Sequence, residues 1–220
     1  MEKQLGSKNA SGSFPTLELE TVAQGQGFRN VAGVDEAGRG PLAGPLVVAA
    51  VILGKDWNSG HLLNDSKKLS LQKREHFFEL ICSEAQAFKI VSISPQEIDS
   101  LNILQATMYG MYRCLAEIRP APDFALIDGN HYPQTPVPGN AVIKGDTRSK
   151  SIAAASILAK VTRDRYMVEK AKLFPEWGFD LHKGYPTKLH REAIEEYGLT
   201  PLHRKSFRLK PVQMELLLQK

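Results

Sequence analysis

The sequence predicts an α/β fold built on a mixed sheet covered by helices. Five short apolar runs of strand length recur along the chain: VAGVD, LVVAAVIL, FKIVSIS, FALID and NAVIKGD. Longer segments with apolar residues every three or four positions, which is helical spacing, separate the second run from the third and the third from the fourth. The first two runs are instead joined directly through a glycine-rich loop. That uneven alternation argues against a purely parallel sheet and for one of mixed direction.

Each element has its own warrant. Residues 1–28 are polar and rich in Ser, Gly and Gln, and read as a mobile tail. SLQKREHFFELICSEAQ reads as a helix capped by Ser70, with Phe77, Phe78, Ile81 and Cys82 on one side. SPQEIDSLNILQATMYGMYRCLAEI reads as one long helix, in which Ser94 is the N-cap, Pro95 suits the first turn and Glu97 completes a capping box. Its stripe of Ile98, Leu101, Leu104, Met108, Met111, Leu115 and Ile118 is core-forming. SIAAASILAKVTRDRYMVEKAKLF is a long helix whose small-residue face allows close packing on a sheet, and TKLHREAIEEYG is a helix stopped by Gly198. Residues 211–220, PVQMELLLQK, form a short amphipathic segment. The organisation expected is a tail over 1–28, one domain over 29–210, and this terminal segment.

Bulk properties narrow the function classes. A chain of 220 residues with 42% hydrophobic content can bury one real core. Cys82 and Cys114 are too few for a disulfide framework, and no C-x-x-C occurs, so both read as core thiols in a reducing compartment. The longest apolar stretch is interrupted by Gly44 and Pro45 and is too short for a bilayer, and no secretory h-region is visible. The expectation is a cytoplasmic protein without a membrane partner. From Lys144 onward the chain carries 16 Lys+Arg against 9 Asp+Glu, while residues 1–143 carry 12 against 15. A basic second half suits a polyanion such as nucleic acid, although solvated helix faces produce the same imbalance.

The informative acids end apolar runs. VAGV ends in Asp35 and Glu36, FALI in Asp128, and AVIKG in Asp146. Ligands of α/β sheets collect beyond the carboxyl ends of strands. Strands lying side by side in one direction would therefore converge these carboxylates. A single strand-end Asp is commonly a turn residue, but the repetition and the doublet before glycines point to a site. Clustered carboxylates raise one another's pKa, and a hard divalent cation relieves them. Oxygen-only ligands favour Mg²⁺ or Mn²⁺ over zinc, and two such ions about 3.5–4 Å apart would clamp a phosphodiester for attack by water. Adjacent strand residues face opposite ways, so Asp35 and Glu36 serve one site only if the strand ends or curls there. The six histidines show no H-E-x-x-H or paired metal spacing, and no Ser-His-Asp or Cys-His arrangement is legible. Asp65 and Asp164 lie outside strand ends and read as a cap or salt bridge.

GRGPLAG resembles a dinucleotide loop only superficially. Its pattern is G-x-G-x-x-x-G, and a strand follows where that fingerprint requires a helix. Gly38 and Gly40 therefore either make a tight turn or bare the backbone for close approach of a substrate. In the second case the Gly-Arg-Gly backbone could meet phosphates and a sugar hydroxyl, and a 2′-OH is what distinguishes RNA from DNA.

GVDEAGRGPLAGPLVVAAVIL, NDSKKLS, LIDGN, KGD with SIAAASILAKVTRDR, and HKGYPT stand in the order found in ribonuclease HII, the bacterial type 2 ribonuclease H family. The chain resembles that family from about residue 31 to residue 207. The resemblance implies a ribonuclease H-like fold: a five-stranded mixed sheet flanked by helices, with a helical C-terminal extension. It implies an Mg²⁺- or Mn²⁺-dependent endonuclease that cuts the RNA strand of RNA–DNA hybrids. It also implies incision of duplex DNA 5′ of an embedded ribonucleotide, leaving 3′-hydroxyl and 5′-phosphate ends, by a monomer. By resemblance, Asp35, Glu36, Asp128 and Asp146 are the metal-binding acids, with Asp35 bridging both ions. Gly38, Arg39 and Gly40 sense the 2′-OH through their backbone, and Tyr185 stacks on the sugar at the RNA–DNA junction. Lys67 and Arg148 are either phosphate contacts or solvent-exposed charges. QMELL, running from Gln213 to Leu217, resembles a peptide that docks on bacterial sliding clamps, with Leu217 where Phe is usual. Packing of that segment on the domain is the alternative.

Two other classes compete with this one. A phosphatase or nucleotide-binding oxidoreductase would use the first acid and the glycine loop, and the strand after the loop argues against it. A non-catalytic nucleic-acid module would use the basic half alone, and the four acids argue against that.

Overall fold

The computed structural model describes residues 14–55, 57, 63, 66 and 69–207. Five strands, β1 (Val31–Ala37), β2 (Leu46–Ile52), β3 (Ala87–Ile93), β4 (Phe124–Asp128) and β5 (Gly139–Val142), form one sheet in the order β3-β2-β1-β4-β5. β2 pairs antiparallel with both β1 and β3, whereas β1, β4 and β5 run parallel. The sheet is therefore mixed, as the directly joined first strands predict.

Helices cover both faces. On one side α3 (Pro95–Leu101) and α4 (Ile103–Glu117) bury Ile98, Ala106, Met111, Cys114 and Leu115 against Val34, Val48, Val91 and Ile127. On the other side α2 (Leu71–Glu84) and α5 (Lys150–Ala171) bury Phe77, Ile81, Ala154, Ala155 and Leu158 against Val47, Ala49 and Val51. The small face of α5 does what its composition suggests. The helix lies so close to β1 that a Cβ on Gly33 would overlap the Ser151 backbone. Ser70 caps α2 by accepting from the Lys73 N–H, and the Ser94–Glu97 capping box is formed. Among the described residues no helix is long and apolar enough to cross a membrane.

Two expectations need correction. The segment read as one helix from Ser94 is two, because Asn102 breaks it at φ 66°. Asparagine tolerates that left-handed region, and its Oδ1 accepts the Leu104 and Gln105 N–H groups at 3.0 and 3.1 Å, capping α4. The polar stretch before residue 28 is also not all tail. Within it α1 (Glu18–Gly25) buries Ala23 against Val31, Phe124 and Ile152. Glu20, almost fully buried, accepts hydrogen bonds from Ser149 Oγ, Ser151 N and Ser151 Oγ at 2.6–2.9 Å. A single buried carboxylate thus ties the N-terminal helix to the start of α5, a long-range contact that composition does not reveal.

Beyond α5 the chain forms α6 (Phe179–His182) and α7 (Lys188–Tyr197), the latter capped by Thr187. Phe179, Met167 and Leu202 pack around Ala43, so this part closes onto the loop between β1 and β2.

Candidate active site

The parallel trio β1, β4 and β5 places its carboxyl ends on one sheet edge. Val34 pairs with Ile127, so Asp35 and Asp128 are the next residues along two neighbouring strands. Asp128 pairs in turn with Val142, and after Gly145 the chain places Asp146 in a buried 3₁₀ turn, Gly145–Thr147. The Gly145 N–H donates to Asp128 Oδ1 at 2.7 Å, tying the two strand ends together.

Asp35 is only 5% exposed, and its Oδ1 accepts the Glu36 N–H at 2.7 Å. Burial, followed by the Glu36 and Asp128 carboxylates, holds Asp35 well above the usual carboxylate range. β1 runs through this doublet and ends one residue later at Ala37, which pairs with Val47. The pleat therefore keeps Asp35 on the α5 side with Gly33, while Glu36 follows Ala32 and Val34 on the opposite side. The two acids share a strand end by proximity across the pleat. Glu36 Oε1 meets Arg39 Nη1 at 3.4 Å.

Among the described residues, no group of three or more His, Cys, Asp or Glu is arranged to hold an ion as it stands. The donor chemistry nevertheless fits a hard divalent cation: all four acids offer oxygen only, and Asp35 is a buried carboxylate destabilised by its acidic neighbours.

The glycine loop runs beside this edge. Gly38 has φ 99°, and a Cβ there would overlap Arg163 Nε and Pro45 O. Arg39 and Gly40 are exposed. Tyr185, 41% exposed, comes down over the loop, with its Cε1 the one group close to where a Gly40 Cβ would stand. Lys160 Nζ and Arg163 Cζ lie 6.0 and 5.8 Å from its ring centroid. The structure thus brings Gly38, Gly40 and Tyr185 together. Arg148 is exposed after the 3₁₀ turn, its carbonyl accepting from Thr16 N. Lys67, Asp65 and residues 213–217 lie outside the described residues. Asp164 forms a salt bridge with Lys160 at 2.8 Å, in keeping with its place outside the strand ends.

Sequence reasoning missed what supports the loop. Arg163 and Arg204 are 1% and 2% exposed and hold its carbonyls from beneath. A clue was available for Arg163: it stands four residues from Ala159 and from Met167, on a buried stripe, where a charge needs partners. Three histidines, assigned no role from their spacing, support the Tyr185 segment. The Thr200 N–H donates to His203 Nδ1 at 2.8 Å, which leaves the His203 proton on Nε2, 3.1 Å from His190 Nε2. His190 then donates from Nδ1 to the Tyr185 carbonyl at 3.0 Å. His182 stacks on His190 with centroids 4.3 Å apart and accepts the Gly184 N–H. Burial lowers all three imidazoles, His190 to about 4, so the relay is neutral.

The family profile described as Ribonuclease HII matches residues 32–210. The chain belongs to the ribonuclease HII family. The Ribonuclease HII of Vibrio campbellii is 53% identical over 200 residues, spanning 91% of this chain and 93% of that one. The ribonuclease H2 of Pyrococcus horikoshii superposes with a TM-score of 0.71 at 26% identity, over 87% of this chain and all of that one. The RNase HII of Archaeoglobus fulgidus, solved in a complex with PCNA, gives 0.70 at 27%, over 84% and 98%. The family assigns this chain a metal-dependent endonuclease activity of the ribonuclease H type 2 class, and the five-stranded sheet is the ribonuclease H-like fold.

Proposed function

We propose that the protein cuts the RNA strand of RNA–DNA hybrids and incises duplex DNA on the 5′ side of an embedded ribonucleotide, leaving 3′-hydroxyl and 5′-phosphate ends. The observation that carries this reading is Asp35, a buried carboxylate kept unfavourable by Glu36 and Asp128 at the aligned ends of parallel strands. A carboxylate held in that state is poised for a cation, not for folding stability.

Asp35, Glu36, Asp128 and Asp146 would hold the two Mg²⁺ or Mn²⁺ ions, which when bound would supply Lewis acidity at the scissile phosphate and a water nucleophile at neutral pH. The Gly145 N–H fixes the orientation of Asp128. Gly38, Arg39 and Gly40 present backbone to the ribose, and Tyr185 offers its face to the sugar beside the RNA–DNA junction. Lys160, beneath Tyr185, and the exposed Arg148 add positive charge for the nucleic-acid backbone. Lys67 is assigned the same role from sequence alone. The activity belongs in the cytoplasm and to a monomer, and the segment from Gln213 to Leu217 is a candidate clamp-docking peptide, the Archaeoglobus relative having been solved with PCNA.

Asp35→Asn tests the reading. It should abolish cleavage while leaving duplex binding intact; turnover at the level of the unaltered protein would refute it.

A further inference from the structure

The carbonyls of Gly38, Arg39, Ala43, Gly44 and Pro45 turn toward two buried guanidiniums. Arg204 donates from Nη2 to Gly38 O (2.6 Å), from Nη1 to Arg39 O (3.1 Å), and from Nε and Nη2 to Gly44 O (3.0 and 2.9 Å). Arg163 donates from Nε to Pro45 O (2.9 Å) and from Nη2 to Ala43 O (3.0 Å). The Arg204 N–H takes Leu42 O as well, at 2.8 Å. By contrast, the N–H groups of Arg39 and Gly40 donate to nothing among the described residues. The loop therefore turns these six acceptors inside and leaves the two donors free at an exposed surface.

Neither guanidinium pairs with a carboxylate within ion-pair distance among the described residues. Asp164 is held by Lys160, and Asp99 accepts the Lys205 and Ser206 N–H groups. Buried charge is tolerated only when hydrogen-bonded, and here loop carbonyls take the place that an acid usually fills. Burial and the neighbouring Arg163 push Arg204 down to about 9. Arg163 Nη1 is a buried donor without a hydrogen-bond partner, and its guanidinium carbon lies 5.8 Å from the Tyr185 ring centroid. Two positive charges without acidic partners thus sit under the one loop expected to meet a polyanion.

We propose that Arg163 and Arg204 are positioning residues for ribose recognition: by drawing the loop carbonyls inward they aim the Arg39 and Gly40 N–H groups at the substrate and set Tyr185 above them. This rests on the function proposed above and goes beyond it in assigning the geometry of the reader to residues that do not touch the sugar. Lysine cannot substitute, since one ammonium does not reach three carbonyls spread around a planar fork.

The test is Arg204→Lys, which keeps the charge and removes the fork. Cleavage of a duplex with one ribonucleotide should lose on the order of tenfold to a hundredfold in kcat/KM, largely in kcat. Affinity for the all-DNA duplex should be unchanged, and amide hydrogen exchange should quicken in residues 38–45 alone. A folded Arg204→Lys protein with unaltered kcat/KM overturns the proposal, whatever its exchange. If Arg204→Lys does not fold, Arg163→Lys takes the same three readouts. Failure of both to fold assigns the pair to stability alone and also overturns it. Failure of the unaltered protein to cut the ribonucleotide duplex is a separate result, and it removes the functional reading itself.

Discussion

Gly38 is the residue where the backbone leaves the least choice. Its φ of 99° is open to glycine, and a methyl group would meet Arg163 and the Pro45 carbonyl. Gly38→Ala should therefore lower cleavage steeply and cost about 1–3 kcal/mol of stability, measurable by urea denaturation. Asp35 makes the opposite prediction. Its folded pKa is raised, so its contribution to stability is complete below the unfolded value of 3.8 and is lost as pH rises through the folded one. At pH 7 without divalent cations, Asp35→Asn should melt higher than the unaltered protein, by roughly 2–4 °C for each kcal/mol recovered. A lower melting temperature would mean that the carboxylate stabilises the fold. At this scale the strand-end places of Asp35 and Asp128 were legible because both acids close apolar runs, whereas Asp146 stands in a 3₁₀ turn beyond its strand. Arg204 was not legible, because nothing in LHRKSF says that its side chain turns inward to carbonyls 160 residues away.

At the scale of elements, capping chemistry read from sequence was reliable where it was local. Ser70, Ser94 with Glu97, and the Gly198 stop all stand where the sequence places them. The break at Asn102 was hidden because the apolar stripe continues across it with helical spacing. Asn102→Ala should cost about 1–2 kcal/mol, losing both the cap and the tolerance for positive φ, whereas Asn102→Gly should cost a fraction of that. Equal losses in a denaturation series would contradict the capping role. The histidine relay between α6, α7 and the Tyr185 segment adds a pH dependence. The imidazoles are neutral when folded and protonate near 6.5 when unfolded, so stability is full above about pH 6.5 and falls toward pH 4. His190 alone accounts for up to about 3 kcal/mol of that fall. His190→Gln should flatten the stability curve between pH 6.5 and 4.5. A curve parallel to that of the unaltered protein would remove the relay as its cause.

For the whole molecule, the class of fold followed from the spacing of apolar runs and the directly joined first strands. Strand order did not, because β4 inserts beside β1 through long-range pairing that no local pattern encodes. The neighbouring places of Asp35 and Asp128 followed from that order, and the sequence argument needed them as an assumption. The central claim is that these strand-end acids, beside a backbone reader of the ribose, make a nuclease specific for ribonucleotides in a duplex. Its most direct test is strand cleavage of a labelled DNA duplex carrying one ribonucleotide, beside the all-DNA duplex, with and without Mg²⁺. The account predicts metal-dependent cutting on the 5′ side of the ribonucleotide, with the all-DNA duplex intact. Cutting of both duplexes alike, or of neither by the folded protein with Mg²⁺ or Mn²⁺ present, would contradict it.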